Sequence, residues 1–168
     1  MTDASTAPTT PFDRSTPAHA ALARVIETAG SFAGSIQVLV GPSHVPARRA
    51  TAAQILGGRF LELDTAGTLA DKPHAGRFLV GYHVDGKELV GCWVDSFHTG
   101  TDLMACAGEH TADGKLVLRG SYGAGEERWG WRTTFKLADD ILEIEATNVA
   151  PDGTEDRAIL TTLRRISA

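Results

Sequence analysis

The sequence predicts a mostly β protein, an antiparallel up-and-down barrel of about ten strands with one helix in front. The chain has 168 residues and 18 glycines, and glycine suits tight turns and close strand crossings more than it suits helices. Asp-Gly pairs, a strong hairpin signal, separate β-rich runs at 85–86, 113–114 and 152–153. Because a long meander twists and leaves open edges, we expect it to close into a barrel. An open two-layer sandwich is the alternative.

The N-terminal segment is predicted to contain a disordered tail followed by a helix. Residues 1–14 are rich in Thr, Ala, Pro and Ser, a composition that predicts a disordered tail. Ser15 or Thr16 can cap a helix that has Pro17 at its first position and stops at Gly30. Its apolar residues recur at the helical period and share one face: Ala18, Ala21, Leu22, Val25, Ile26 and Ala29.

From Ser31 onward the chain reads as strands. Short runs of alternating apolar and polar residues are separated by turn residues. With the helix they make a single barrel domain over 15–168, since a chain of this length holds one ordinary domain. The strands are expected at about 31–40, 47–56, 58–66, 76–84, 87–96, 102–111, 115–122, 128–137, 141–149 and 155–165.

Charge and composition exclude several partners. The net charge is −5 and the basic residues are mostly scattered, so no nucleic-acid partner is expected. No apolar run approaches the ~20 residues that cross a bilayer, so no membrane partner is expected. Residues 1–14 lack the basic and apolar regions of a secretory signal, which indicates the cytoplasm. A homodimer through the outer faces of the barrel stays possible.

Tryptophans fall on the inward faces of two predicted strands. Trp93 shares a face with Asp95, because side chains alternate along a strand. Trp129 and Trp131 share a face on a later strand, whose opposite face is basic. Such a surface can stack against a small hydrophobic or aromatic ligand, or the rings can simply fill the barrel.

Because it shares a face with Trp93, Asp95 is expected to be an inward-facing carboxylate beside an indole. Burying it costs free energy unless it is hydrogen-bonded or paired. Asp95 therefore either anchors a buried polar network or offers an acceptor to a ligand. His98 follows it at a predicted barrel mouth, either as a polar contact to the ligand or as an ordinary loop histidine.

No catalytic or metal motif stands out. The six histidines form no HxH or HExxH pattern, so no metal site and no cofactor are predicted. Haem held by a single axial histidine stays possible, and that ligand would lie at or before His110. No GxSxG elbow is present, and no catalytic residue is assigned. The enzymatic alternative is an isomerase or cyclase that uses Asp95 with His83 or His98 as acid and base.

Several motifs resemble one bacterial family. They are ILGGRFL at 55–61, Gly-Tyr at 81–82, WVDS at 93–96, Pro-Asp-Gly at 151–153 and Leu-Arg-Arg at 163–165. Together they resemble the family catalogued as domain of unknown function 1579. The resemblance implies a calycin-like barrel, related in shape to lipocalins and to the haem-binding nitrobindins, and it implies no established activity.

The chain departs from this family pattern at two places. Members usually begin the first strand with Gly-x-Trp, where this chain has Gly-Ser-Phe at 30–32, and an acidic or amide residue usually follows Gly-Tyr, where this chain has His83. The leading hypothesis is a non-enzymatic barrel that binds a small hydrophobic or aromatic molecule. The predicted ligand-binding residues are Tyr82, His83, Trp93, Asp95, His98, Trp129 and Trp131.

Overall fold

The computed structural model describes Ala20 and residues 30–39, 47–69 and 71–166. In chain order the strands are β1 (Gly30–Val38), β2 (Ala47–Ile55), β3 (Phe60–Leu69), β4 (Lys72–His83), β5 (Glu88–Asp95), β6 (Met104–His110), β7 (Leu116–Ala124), β8 (Glu127–Ala138), β9 (Ile141–Val149) and β10 (Glu155–Ile166). Each strand pairs antiparallel with its neighbours in sequence, and β10 pairs with β1. The predicted closed barrel is confirmed, and the open sandwich is wrong. The predicted tail and helix lie outside the described residues, apart from Ala20.

Alternation along the strands sorts side chains between the inside and the outside of the barrel. On β2 the side chains of Arg48, Ala50 and Ala52 are buried, whereas Arg49 and Thr51 are exposed. The largest fully buried side chains come from several strands, so the core is shared around the barrel. They include Phe32, Ile36, Leu89, Leu118, Leu142 and Leu163. Burying each such side chain stabilises the fold by about 1.5–3 kcal/mol.

The Asp-Gly pairs lie at three of the hairpins, as predicted. They connect β4 to β5, β6 to β7 and β9 to β10. Gly114 and Gly153 have φ angles of 80° and 86°, in the left-handed region that glycine adopts without strain. In the first hairpin the left-handed residue is Lys87 instead of Gly86, with φ at 54°.

The antiparallel order places the connections β3–β4, β5–β6, β7–β8 and β9–β10 at one end of the barrel, which we call the mouth. The end of β1 and the start of β2 lie at the same end. The hairpins β2–β3, β4–β5, β6–β7 and β8–β9 lie at the opposite end. The ends of β3 and β5 and the starts of β2 and β4 therefore meet beside the mouth. No helix in the described part of the chain is long and apolar enough to cross a bilayer.

Candidate functional site

A cavity of about 750 Å³ occupies the barrel at its mouth. Its lining includes Leu69, Trp93, Met104, Tyr122, Trp131 and Ile159. The indoles of Trp93 and Trp131 stack on each other, with ring centres 5.2 Å apart and planes 11° from parallel. Phe78 stacks on Trp93 in turn, at 5.6 Å. These rings fill part of the barrel interior, and two of them also form a wall of the open cavity.

A polar network crosses four strands beside this cavity. Arg48 on β2 donates from one guanidinium nitrogen to Oγ1 of Thr65 on β3, at 2.7 Å. Its other terminal nitrogen donates to Nδ1 of His74 on β4, also at 2.7 Å. Nε2 of His74 lies 3.0 Å from Oδ2 of Asp95 on β5. All four residues are buried, so the network lies within the barrel wall.

Asp95 accepts hydrogen bonds at both carboxylate oxygens. Oδ1 accepts from the main-chain nitrogens of Phe97, His98 and Thr99. Oδ2 accepts from Nε2 of His74 and from Nδ1 of His98, which lies 2.6 Å away. The Thr99 hydroxyl closes the turn by accepting from the main-chain nitrogen of Asp95, at 2.8 Å. The carboxylate thus shapes the start of the β5–β6 connection and holds His98 in place.

These contacts decide the protonation of Asp95. Burial alone would raise the pKa of this carboxyl, but hydrogen bonds from His74, His98 and Thr99 outweigh burial and hold the pKa well below its usual range. Burial lowers the pKa of Arg48, and the negative charge of Asp95 partly offsets that effect. An arginine with a lowered pKa is still a cation at neutral pH. One cation and one anion are therefore buried together, with His74 between them.

The network also fixes the tautomer of both histidines. A guanidinium has only donors, so Nδ1 of His74 must be the acceptor and its proton must be on Nε2. That proton is donated to Asp95. An ionised carboxylate has only acceptors, so His98 donates to it from Nδ1. In the neutral form of His98 the lone pair is therefore on Nε2, and this nitrogen has no hydrogen-bond partner within the described part of the chain.

The His98 ring lies between the network and the aromatic wall. Its centre is 5.7 Å from the Trp93 ring and 5.8 Å from the Trp131 ring. Its side chain is 30% exposed and lines the cavity. Since Nδ1 is bound to Asp95, Nε2 is the ring nitrogen left for a molecule in the cavity.

His74, Asp95 and His98 also have the composition of a metal site. One ligand atom from each lies within 4.8 Å of the others. A histidine that binds a metal through Nε2 carries its proton on Nδ1 and donates it to an acceptor. Arg48 places a donor at that position on His74. The network is therefore arranged for proton donors and acceptors, and a cation would have to displace the Arg48 contact.

The family assignment agrees with the architecture. The model of a family described as protein of unknown function (DUF1579) matches residues 14–165. The chain belongs to the DUF1579 family. The closed ten-strand barrel is consistent with the calycin-like fold that the sequence resemblance implies. No curated protein matches the chain.

The DUF1579 barrel brings four of the predicted ligand-binding residues together. Trp93, His98 and Trp131 line the cavity, and Asp95 lies directly behind His98. Trp129 is half-buried, does not line the cavity and donates from its indole nitrogen to Glu127 at 3.0 Å. The structure thus separates Trp129 from the pair of stacked indoles.

Tyr82 and His83 lie at the other end of the barrel. Asp95 pairs with Gly76, whereas His83 is seven residues further along β4 and pairs with Glu88. At about 3.3 Å per residue the distance from Asp95 to His83 is roughly 23 Å. An acid–base pair of Asp95 with His83 is therefore wrong, because side chains do not reach across that distance. Only the version with His98 is geometrically possible.

Sequence reasoning missed Arg48, Thr65 and His74. The signal for Arg48 was its place on the same face of β2 as Ala50 and Ala52. His74 was missed because the predicted strand began at residue 76, whereas β4 begins at Lys72 and includes Pro73. Proline is tolerated near the first residue of a strand, where a missing ladder hydrogen bond costs little.

Proposed function

We propose that this protein is a binding barrel for a small, mostly apolar aromatic molecule. The observation that carries the proposal is the cavity of about 750 Å³ bordered by the stacked indoles of Trp93 and Trp131, with His98 fixed at its edge. Ligand pockets in proteins usually measure about 300–1,000 Å³ and combine apolar walls with a few oriented polar groups. The size and the lining of this cavity both fit that description.

The rim of the cavity supports entry of an apolar molecule. Phe97 and Leu103, in the β5–β6 connection, are 61% and 67% exposed and both line the cavity. Large apolar side chains that are exposed together often mark a place where a ligand or partner binds. Tyr122 and Asn148 hydrogen-bond to each other on another part of the lining, at 2.7 Å, and add a second polar feature.

The test uses N-phenyl-1-naphthylamine, a neutral aromatic probe that fluoresces in apolar sites. We expect saturable binding to the wild type with quenching of tryptophan fluorescence. Val38→Trp places extra volume in the cavity lining and should weaken binding at least tenfold. Val84→Trp is the matched control, because Val84 is 61% exposed at the opposite end of the barrel. Equal binding by all three proteins, or none by the wild type, would contradict the proposal.

An acid–base enzyme is the second candidate, because Asp95 holds Nδ1 of His98 at 2.6 Å. This is the arrangement in which a carboxylate orients a catalytic imidazole.

Haem binding is a further alternative, because haem would use the same free Nε2 of His98 as its axial ligand. A haemin titration tests that case. A Soret band that appears with the wild type and is lost in His98→Ala would identify haem, instead of an apolar aromatic molecule, as the ligand.

A further inference from the structure

We propose that His98 is a general base for the molecule in the cavity. The site would then take planar aromatic molecules that carry a weakly acidic C–H, N–H or O–H at the edge. This inference rests on the proposed binding function and adds the substrate class and the reacting atom. Its basis is the chain of contacts that runs from Arg48 through His74 and Asp95 to His98.

In a neutral His98 the chain of contacts leaves Nε2 as the acceptor. Asp95 receives five hydrogen bonds and has no proton to give, so His98 must donate to it from Nδ1. His74 cannot switch to the other tautomer, because its Nδ1 accepts a hydrogen bond from Arg48. A neutral His98 therefore has one possible tautomer, with its lone pair on the nitrogen away from Asp95. That nitrogen can bind or remove a proton of the cavity occupant.

The surroundings would stabilise the imidazolium that forms when His98 takes a proton. Asp95 is an anion in direct contact with Nδ1, and it offsets the new positive charge. The indoles of Trp93 and Trp131 lie within 6 Å of the ring, a distance at which aromatic rings attract cations. Arg48 is the nearest buried cation in the network, but His74 and Asp95 lie between it and His98.

A model reaction tests the base directly. In 5-nitrobenzisoxazole, Nε2 of His98 would take the proton from C3, the C–H electron pair would complete the nitrile, and the N–O bond would break with its electrons on oxygen. The product is 2-cyano-4-nitrophenolate, which absorbs visible light, and the proton on His98 returns to water. No oxidant or second reactant is needed. Positioned general bases accelerate such steps by about 10²–10⁴-fold.

The variants separate the base from the pocket. We expect His98→Ala and His98→Gln to lower kcat about 100-fold, a loss far larger than any change in their affinity for N-phenyl-1-naphthylamine. Added imidazole should restore part of the rate in His98→Ala, because it can enter the space of the missing ring, and a purely structural role would give no such rescue. His83→Ala is the matched control and should keep the wild-type rate, since His83 is exposed at the far end.

Two outcomes would overturn the inference, and they differ. If the wild type binds the naphthylamine but cleaves the benzisoxazole no faster than His98→Ala does, the cavity function stands and the base is wrong. If the wild type does not bind the naphthylamine at all, the proposed function fails and this inference fails with it.

Discussion

Arg48 donates to Nδ1 of His74 across 2.7 Å, and this single contact decides which nitrogen of that histidine has the proton. The guanidinium has no acceptor to offer, so His74 is neutral and donates from Nε2 to Asp95. The buried cation and the buried anion are thereby joined by a hydrogen-bonded imidazole instead of a direct ion pair. One residue on β2 thus determines which nitrogen of a histidine on β4 carries the proton.

Replacing Arg48 should convert this network into a metal site. In Arg48→Met, Nδ1 of His74 is free to hold the proton, so Nε2 can join Asp95 and His98 as a ligand for Zn²⁺. Zinc at about 100 times its Kd stabilises a protein by about 2.7 kcal/mol, which raises the Tm of a domain of this size by roughly 5–10 °C. The measurement is thermal unfolding with and without excess zinc.

The wild type should show little zinc response in the same assay, because Arg48 opposes the required tautomer. Adding His98→Gln to the Arg48→Met protein removes one ligand and should abolish the shift. A wild-type shift as large as that of Arg48→Met would show that the Arg48 contact does not control the site.

Asp95→Asn should destabilise the barrel strongly. The amide removes the negative charge that faces Arg48 and His74, and it brings N–H groups towards donors that already point at this position. Removing one charge of a buried pair or network leaves the other charge uncompensated, which typically costs about 3–5 kcal/mol. Urea unfolding followed by tryptophan fluorescence measures the loss. Asp85→Asn, at an exposed hairpin, is the control and should stay within about 0.5 kcal/mol of wild type. A similarly small effect of Asp95→Asn would mean that the network contributes little to folding.

Gly108 on β6 lies where the main chain of the neighbouring strand β7 approaches closely. A Cβ at this position would clash with the main-chain oxygen of Val117 on β7, so the neighbouring strand would have to move. Gly108→Ala should therefore lower the free energy of unfolding by about 1–3 kcal/mol, the usual cost of overpacking. Gly123→Ala is the matched control, because a Cβ there meets nothing within 4 Å. Equal stability of the two variants would contradict the close strand approach.

The sequence was sufficient for the barrel because local signals agreed with the global fold. Alternating side chains and Asp-Gly turns specify consecutive hairpins, and a meander with so many hairpins closes on itself. The tryptophan face was also readable, since Trp93 and Asp95 are two residues apart on one strand. The alternation of apolar and polar residues along a strand predicts which side chains point into the barrel and which point out of it.

The network was not readable because it depends on register between strands. Arg48, Thr65, His74 and Asp95 are separated by many residues, and only the barrel pairing brings them together. The sequence likewise did not indicate that His83 and Asp95 lie far apart in space, since both residues belong to predicted strands that are neighbours along the chain. Their distance is set by the length of β4, which places them at opposite ends of the barrel.

Asp95 should also shape the acid stability of the protein. Its pKa is well below its usual range in the folded state, against about 3.9 in an unfolded chain. As the pH falls through about 4, the unfolded state therefore binds a proton that the folded state does not, and unfolding becomes more favourable. The contribution of Asp95 is fully present above about pH 5 and is lost progressively as the pH falls towards the folded pKa.

The measurement is urea unfolding of wild type and Asp95→Asn at pH 5, 4 and 3. The wild type should lose stability more steeply, with a difference in slope that approaches one proton, about 1.4 kcal/mol per pH unit, at the acid end. Asp113 and Asp152, whose pKa values are also lowered, are present in both proteins and cancel in the comparison. Parallel pH dependence in the two proteins would mean that Asp95 titrates normally in the folded barrel, and the hydrogen bonds from His74 and His98 would then not stabilise its charge.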